Sequence, residues 1–259
     1  MELQQIVERY AELFAHVDRT TTVVGTWRNA GTIPYQPGIQ PMVEEVIVPL
    51  LDDAWEMLYP GERTIHETEV PYPTTEVPTS TRLDHVMTSP EFVTAAGGVD
   101  SIDEWGIEVK RLQFVGDNGK NGDHEVAKVL SPYLKDRGIL HDALRLLRHG
   151  FTHRIAVIGY GFDYDDRTVV HAAGLHPQEP AASTVGNIAK LVRRNGPLRN
   201  GPLIEFADAI LRLRGWTVGP RAEAEFEAWR HPAGGTGVVF GWEIRRPHLE
   251  PDFDPRHPW

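Results

Sequence analysis

Glu108-Val109-Lys110 sets a carboxylate and an ammonium two residues apart in the run Trp105 to Val115, which alternates in the manner of a strand. Side-chain direction repeats every two residues along a strand, so both charges project from one face. Carboxylates and carbonyls that hold a hard divalent cation, with a positive group beside them to orient or activate water, are what metal-assisted phosphodiester cleavage requires. The set needs a second carboxylate from a neighbouring strand. Arg82-Leu83-Asp84-His85-Val86-Met87 provides it, with Asp84 brought beside Glu108 by a simple meander.

An acidic-x-Lys spacing has low specificity by itself. Its content here comes partly from residue choice: the chain holds 26 basic residues, of which only five are lysine. A lysine where arginine is the habit points to a compact point charge rather than a planar fork. Asp100 and Asp103 rival Asp84, but they lie too close in sequence to Glu108 to occupy a separate paired strand. His85 should face away from Asp84, and Gln113 falls off the Glu108/Lys110 face.

The elements that must position these groups read as follows. A helix covers 1–17, with Leu3, Ile6, Val7, Tyr10, Leu13 and Phe14 at helical spacing. A second covers 41–58 and contains Pro49, a kink position. Its apolar stripe passes through Val43, Val46, Ile47, Leu50 and Ala54; Glu44 borders the stripe and Glu45 points away, so Glu44 is the acid able to reach the site. Strands are expected over 64–70, 81–88 and 102–115, with a proline-broken loop at 71–80. Turn residues fill 116–123, and helices follow at 124–137 and 141–149. An apolar strand over 154–162 reads as buried on both faces. A strand, a helix and a further apolar strand imply a right-handed parallel crossover in one sheet. Beyond it come helices at 184–194 and 202–214, then a hairpin of 222–229 and 238–245.

Asp84 with Glu108-Val109-Lys110, in this order of elements, resembles the PD-(D/E)xK nuclease superfamily, which includes many type II restriction endonucleases. The likeness covers roughly residues 40–165; residue 83 is Leu where the family's motif has Pro. The resemblance implies a restriction-endonuclease-like α/β core, a mixed sheet flanked by helices. It implies a Mg²⁺ site (Mn²⁺ as the substitute) held by Asp84 and Glu108, with the Val109 carbonyl and Glu44 as further ligands. Lys110 then positions water or helps deprotonate it. Residues 1–165 form that core with its N-terminal helices. Residues 166–259 are an extension on the same domain for DNA contacts or dimerisation, where Arg193, Arg194 and Arg199 are the candidate phosphate contacts. Double-stranded DNA is the expected partner and a homodimer the expected assembly, since two-fold symmetry suits a palindromic site. The expected activity is that of a Mg²⁺-dependent, sequence-specific endonuclease. The alternatives are a non-catalytic binding or regulatory protein on the same core, and a nuclease for RNA or modified DNA.

Composition bounds these readings. The 259 residues suffice for one large domain or two small ones. Zero cysteines exclude disulfides, thiolate zinc sites and a cysteine nucleophile. The expected compartment is the cytoplasm, and no apolar run is long enough to span a membrane. Net charge is −11, which works against a polyanionic partner. The charge is uneven, however: residues 1–110 carry −13 and residues 111–259 carry +2. Other motifs fail on spacing. Gly116 to Lys120 lacks the phosphate-loop pattern, Gly159-Tyr160-Gly161 lacks a third glycine, and Gly150 interrupts a His149/His153 zinc pair.

Overall fold

A computed structural model describes residues 1–21, 37–40, 42, 44–60, 62, 66–71, 82–95, 103–112, 129–131, 138–149, 152–175, 184–213, 215–231 and 233–245. Along the chain these form α1 (Leu3–Thr20), α2 (Glu44–Leu58), β1 (His66–Pro71), β2 (Arg82–Met87), α3 (Pro90–Ala95), β3 (Asp103–Leu112) and α4 (Ile139–His149). There follow β4 (Thr152–Asp163), α5 (Asp166–Leu175), α6 (Thr184–Asn195), α7 (Gly201–Leu213), β5 (Thr217–Val218), β6 (Ala222–Ala228) and β7 (Gly235–Arg245).

The strands join in one mixed, open sheet in the order β1-β2-β3-β4-β7-β5, with β6 also paired to β7. Only β3 and β4 run parallel; the other pairings are antiparallel. The parallel pairing is the one expected from a strand, a helix and an apolar strand, and α4 is the described helix that precedes β4. The turn expected at 116–123 and most of the helix expected at 124–137 lie outside the described residues.

Helices cover both faces, so the central strands are buried on both sides. On one face α1 and α2 pack Ile6, Tyr10, Phe14, Ile47 and Trp55 against Trp105, Ile107 and Val109 of β3 and Ala156, Ile158 and Tyr160 of β4. On the other, α4 and α7 pack Leu140, Ala143, Ile204 and Leu211 against Leu112, Val157, Phe240 and Trp242. The odd positions of β3 thus face α1 and α2, leaving Glu108 and Lys110 on the α4 side.

The region after residue 165 is not peripheral to the sheet. β7 lies between β4 and its own hairpin partner β6, pairing Ala156 to Asp163 with Glu243 to Thr236. The expected hairpin is present, with a shorter turn because Ala228 already pairs with Gly235. One strand from the site, Gly159 is level with Lys110, and a Cβ there would come within 2.1 Å of the Phe240 ring. The missing side chain is what lets Phe240 lie against the strand. Helix α5 was not foreshadowed by the sequence, whose short apolar run after Asp166 carries no clear period.

Candidate active site

The β2–β3 ladder pairs Met87 with Trp105, Val86 with Gly106 and His85 with Ile107. The ladder stops there, one step short of setting Asp84 opposite Glu108, and carboxylates take its place. Asp84 Oδ2 accepts the Val109 N–H at 2.7 Å, and Glu44 Oε1, from the first turn of α2, accepts the Arg111 N–H at 3.0 Å. Alternate amides of a strand point to the same edge, so these are the donors a continuing β2 would have used. Two acids have replaced two backbone acceptors at a fork in the sheet.

Asp84, Glu108, Lys110 and Glu44 are therefore brought together as their spacing predicts. Lys110 Nζ lies 3.2 Å from Glu44 Oε2. Two groups that the sequence reading did not place complete the cluster, both from α4. Asp142 Oδ2 lies 3.1 Å from Lys110 Nζ. Arg145 Nη2 lies 2.6 Å from Glu108 Oε1, while its Nη1 is 3.3 Å from Asp142 Oδ1. The signal for Asp142 was available: it falls three residues after Ile139 and four before Leu146, inside the apolar stripe of an amphipathic helix. A carboxylate in that stripe must have a buried partner.

Depth orders the cluster. The side chains of Asp142 and Glu108 are 1% and 2% exposed, Lys110 14%, Arg145 22% and Glu44 36%. Burial pushes the Asp84 carboxyl up to about 6; the Val109 N–H and Lys110 pull it down, whereas Glu44 and Asp142 push it up. Burial likewise raises Asp142, against Lys110 and Arg145. For Lys110 burial acts to lower the ammonium pKa, but Asp142, Glu44, Asp84 and Glu108 outweigh it and hold it above the ordinary value. Lys110 is a fixed cation in this arrangement, which suits positioning and charge stabilisation rather than proton abstraction.

Among the described residues the cluster sets four carboxylates against two cations, a formal excess of two negative charges. Every carboxylate donor is a hard oxygen, and burial, with Glu44 and Asp142 adding to it, holds the Asp84 carboxyl raised. This donor set fits a hard divalent cation. No group of three or more His, Cys, Asp or Glu residues is close enough to hold a metal among the described residues as they stand; Lys110 and Arg145 lie between the acids.

Other candidates fall elsewhere. His85 points to the opposite face, buried and stacked on Tyr10, with ring centroids 5.6 Å apart. Asp103 accepts from Thr88 Oγ1 at the far end of β3, and Asp100 lies outside the described residues. Arg193 and Arg194 are exposed in the last turn of α6. Arg199 pairs with Asp163 at 3.3 Å and Asp165 at 3.5 Å, past the C-terminal end of β4. Since β3 and β4 run parallel, that end of the sheet is also the one towards which Lys110 lies.

The chain is thus an α/β protein whose mixed open sheet, flanked by helices, carries a buried acid–base cluster at a strand fork. Comparison with protein-family models, curated proteins and solved structures returns no match. No helix among the described residues is long and apolar enough to cross a membrane.

Proposed function

We propose that this protein is a Mg²⁺-dependent endonuclease of the restriction-endonuclease-like class, hydrolysing phosphodiester bonds of double-stranded DNA. The observation that carries the reading is the fork: Asp84, one residue past the last β2–β3 pair, is tied to the Val109 N–H between Glu108 and Lys110, with Glu44 closing the same edge. Asp84 and Glu108 are the ligands for the cation, with Glu44 and the Val109 carbonyl beside them. A divalent cation there supplies Lewis-acid polarisation of the phosphate and acidifies water. In the hydrolysis a water oxygen bonds to phosphorus as the bridging P–O bond breaks. The water proton passes to solvent, and the departing oxygen takes up another.

Lys110, held as an ammonium, orients the water or stabilises the charge that develops on the phosphate. Arg193 and Arg194 grip the backbone by charge. A homodimer accounts for cleavage of both strands.

The network of internal ion pairs favours a second reading, a non-catalytic nuclease-fold binding protein in which Lys110 and Arg145 permanently neutralise the acids. Plasmid and genomic DNA incubated with Mg²⁺ or Mn²⁺, with EDTA as control, separate the two. The nuclease reading expects nicking that EDTA and Glu108→Ala both abolish; a Glu108→Ala variant as active as the parent would refute it.

A further inference from the structure

We infer that Arg145 occupies Glu108 in place of the divalent cation, and that cation binding releases this guanidinium to hold the phosphate to be cleaved. The inference rests on the metal-site reading above and extends it to a residue on α4. The guanidinium lies 2.6 Å from Glu108 Oε1 and 3.3 Å from Asp142 Oδ1, so it bridges the two most buried acids of the cluster. It is the more exposed partner in both pairs, 22% against 2% and 1%, and so reaches them from the solvent side. A substrate phosphate that approaches Glu108 and a cation from that side meets the guanidinium. Glu108 cannot give the same oxygen fully to both a guanidinium and a divalent ion, so the two positive groups compete. Asp142 remains to anchor the arginine through Nη1 after Glu108 is taken, which keeps the planar fork beside the site, where it matches two phosphate oxygens.

Competition has a thermodynamic signature that a purely structural ion pair lacks. Removing Arg145 leaves Glu108 and Asp142 buried without that cation, which destabilises the apo protein and makes a divalent ion more welcome.

The test is Mn²⁺ titration by calorimetry, together with melting in EDTA and in Mn²⁺, for the parent, Arg145→Gln and Arg145→Lys. Binding of a 20-base-pair duplex in Ca²⁺, with uncut duplex verified on a gel, reports phosphate contact. Arg145→Gln is expected to melt lower than the parent in EDTA and to recover most of the difference in Mn²⁺. It should bind Mn²⁺ about tenfold more tightly and duplex more weakly, and Arg145→Lys should fall between. An Arg145→Gln protein with unchanged or weaker Mn²⁺ affinity, or one destabilised equally with and without Mn²⁺, overturns the inference while leaving the metal site intact. A parent that binds no Mn²⁺ overturns both. Tighter Mn²⁺ binding by Arg145→Gln in a protein that cuts no DNA supports the competition and removes the nuclease reading alone.

Discussion

Asp84 Oδ2 accepts the Val109 N–H at 2.7 Å. This contact locks the register of β2 against β3 at the point where their ladder ends. A slip of one residue would turn Asp84 to the α1 face and bring His85 to the fork. The same bond holds a carboxylate whose ionisation burial opposes, beside the peptide that separates Glu108 from Lys110. The site is thus fixed by the backbone of the strand that carries its other two members.

Asp84 offers a test in which stability and activity move oppositely. Its carboxyl titrates near 6 in the folded protein against an ordinary 3.8, with burial as the main cause. An acid raised in this way weakens folding as it ionises, so stability falls as pH rises from about 4 to about 6 and stays reduced above that. Asp84→Asn keeps an acceptor for Val109 and removes the charge. In EDTA at pH 7.5 it should stabilise the protein by on the order of 1–3 kcal/mol, and the gain should vanish near pH 4. Denaturant melts at both pH values measure this; a variant less stable than the parent at pH 7.5 contradicts it.

Lys110 should matter to the fold as well as to the reaction. Lys110→Ala strips Asp142 and Glu44 of a shared cation 3.1 and 3.2 Å away, and breaking a buried pair by removing one partner costs about 3–5 kcal/mol. Pairing Lys110→Met with Asp142→Leu should restore much of that loss, since both buried charges go together. Cleavage should stay absent in both proteins. Urea melts of the parent, Lys110→Met, Asp142→Leu and the double variant complete a double-mutant cycle that checks the coupling.

Tyr10 and His85 form the opposite-face counterpart, a buried hydrogen bond from α1 to β2. Tyr10→Phe removes one partner and should cost about 1–3 kcal/mol with no change in kcat. A loss of activity at saturating substrate, in protein shown to be folded, would place this pair in the chemistry instead.

For the proposed phosphate contacts, salt dependence is the readout. Arg193→Ala and Arg194→Ala should each lower DNA affinity and flatten the slope of log K against log salt by about one. Arg199→Ala should do less, because Arg199 is already paired with Asp163 and Asp165. Fluorescence anisotropy across a salt series in Ca²⁺ distinguishes them.

Much of the site was legible because its groups lie on elements with short, clear periods. Alternation put Glu108 and Lys110 on one face and His85 on the other, and the helical wheel chose Glu44. The α4 contribution was harder to read. Asp142 and Arg145 meet β3 only through the crossover, and nothing in the strand motif announces an acid 32 and a base 35 residues past Lys110. The clue was local to α4 itself, an acid inside an apolar stripe. The docking of β7 on β4 was likewise hidden in long-range pairing, although its apolar residues on both faces, such as Val239, Phe240 and Trp242, already implied a central strand.

The most direct test of the central claim is plasmid cleavage in Mg²⁺ by purified parent and Asp84→Asn protein, with the melting temperature of each recorded in EDTA at pH 7.5. The account predicts EDTA-sensitive cutting by the parent and none by an Asp84→Asn protein that is at least as stable. Undiminished Mg²⁺-dependent cutting by Asp84→Asn, or no cutting of any DNA by the folded parent, would contradict it.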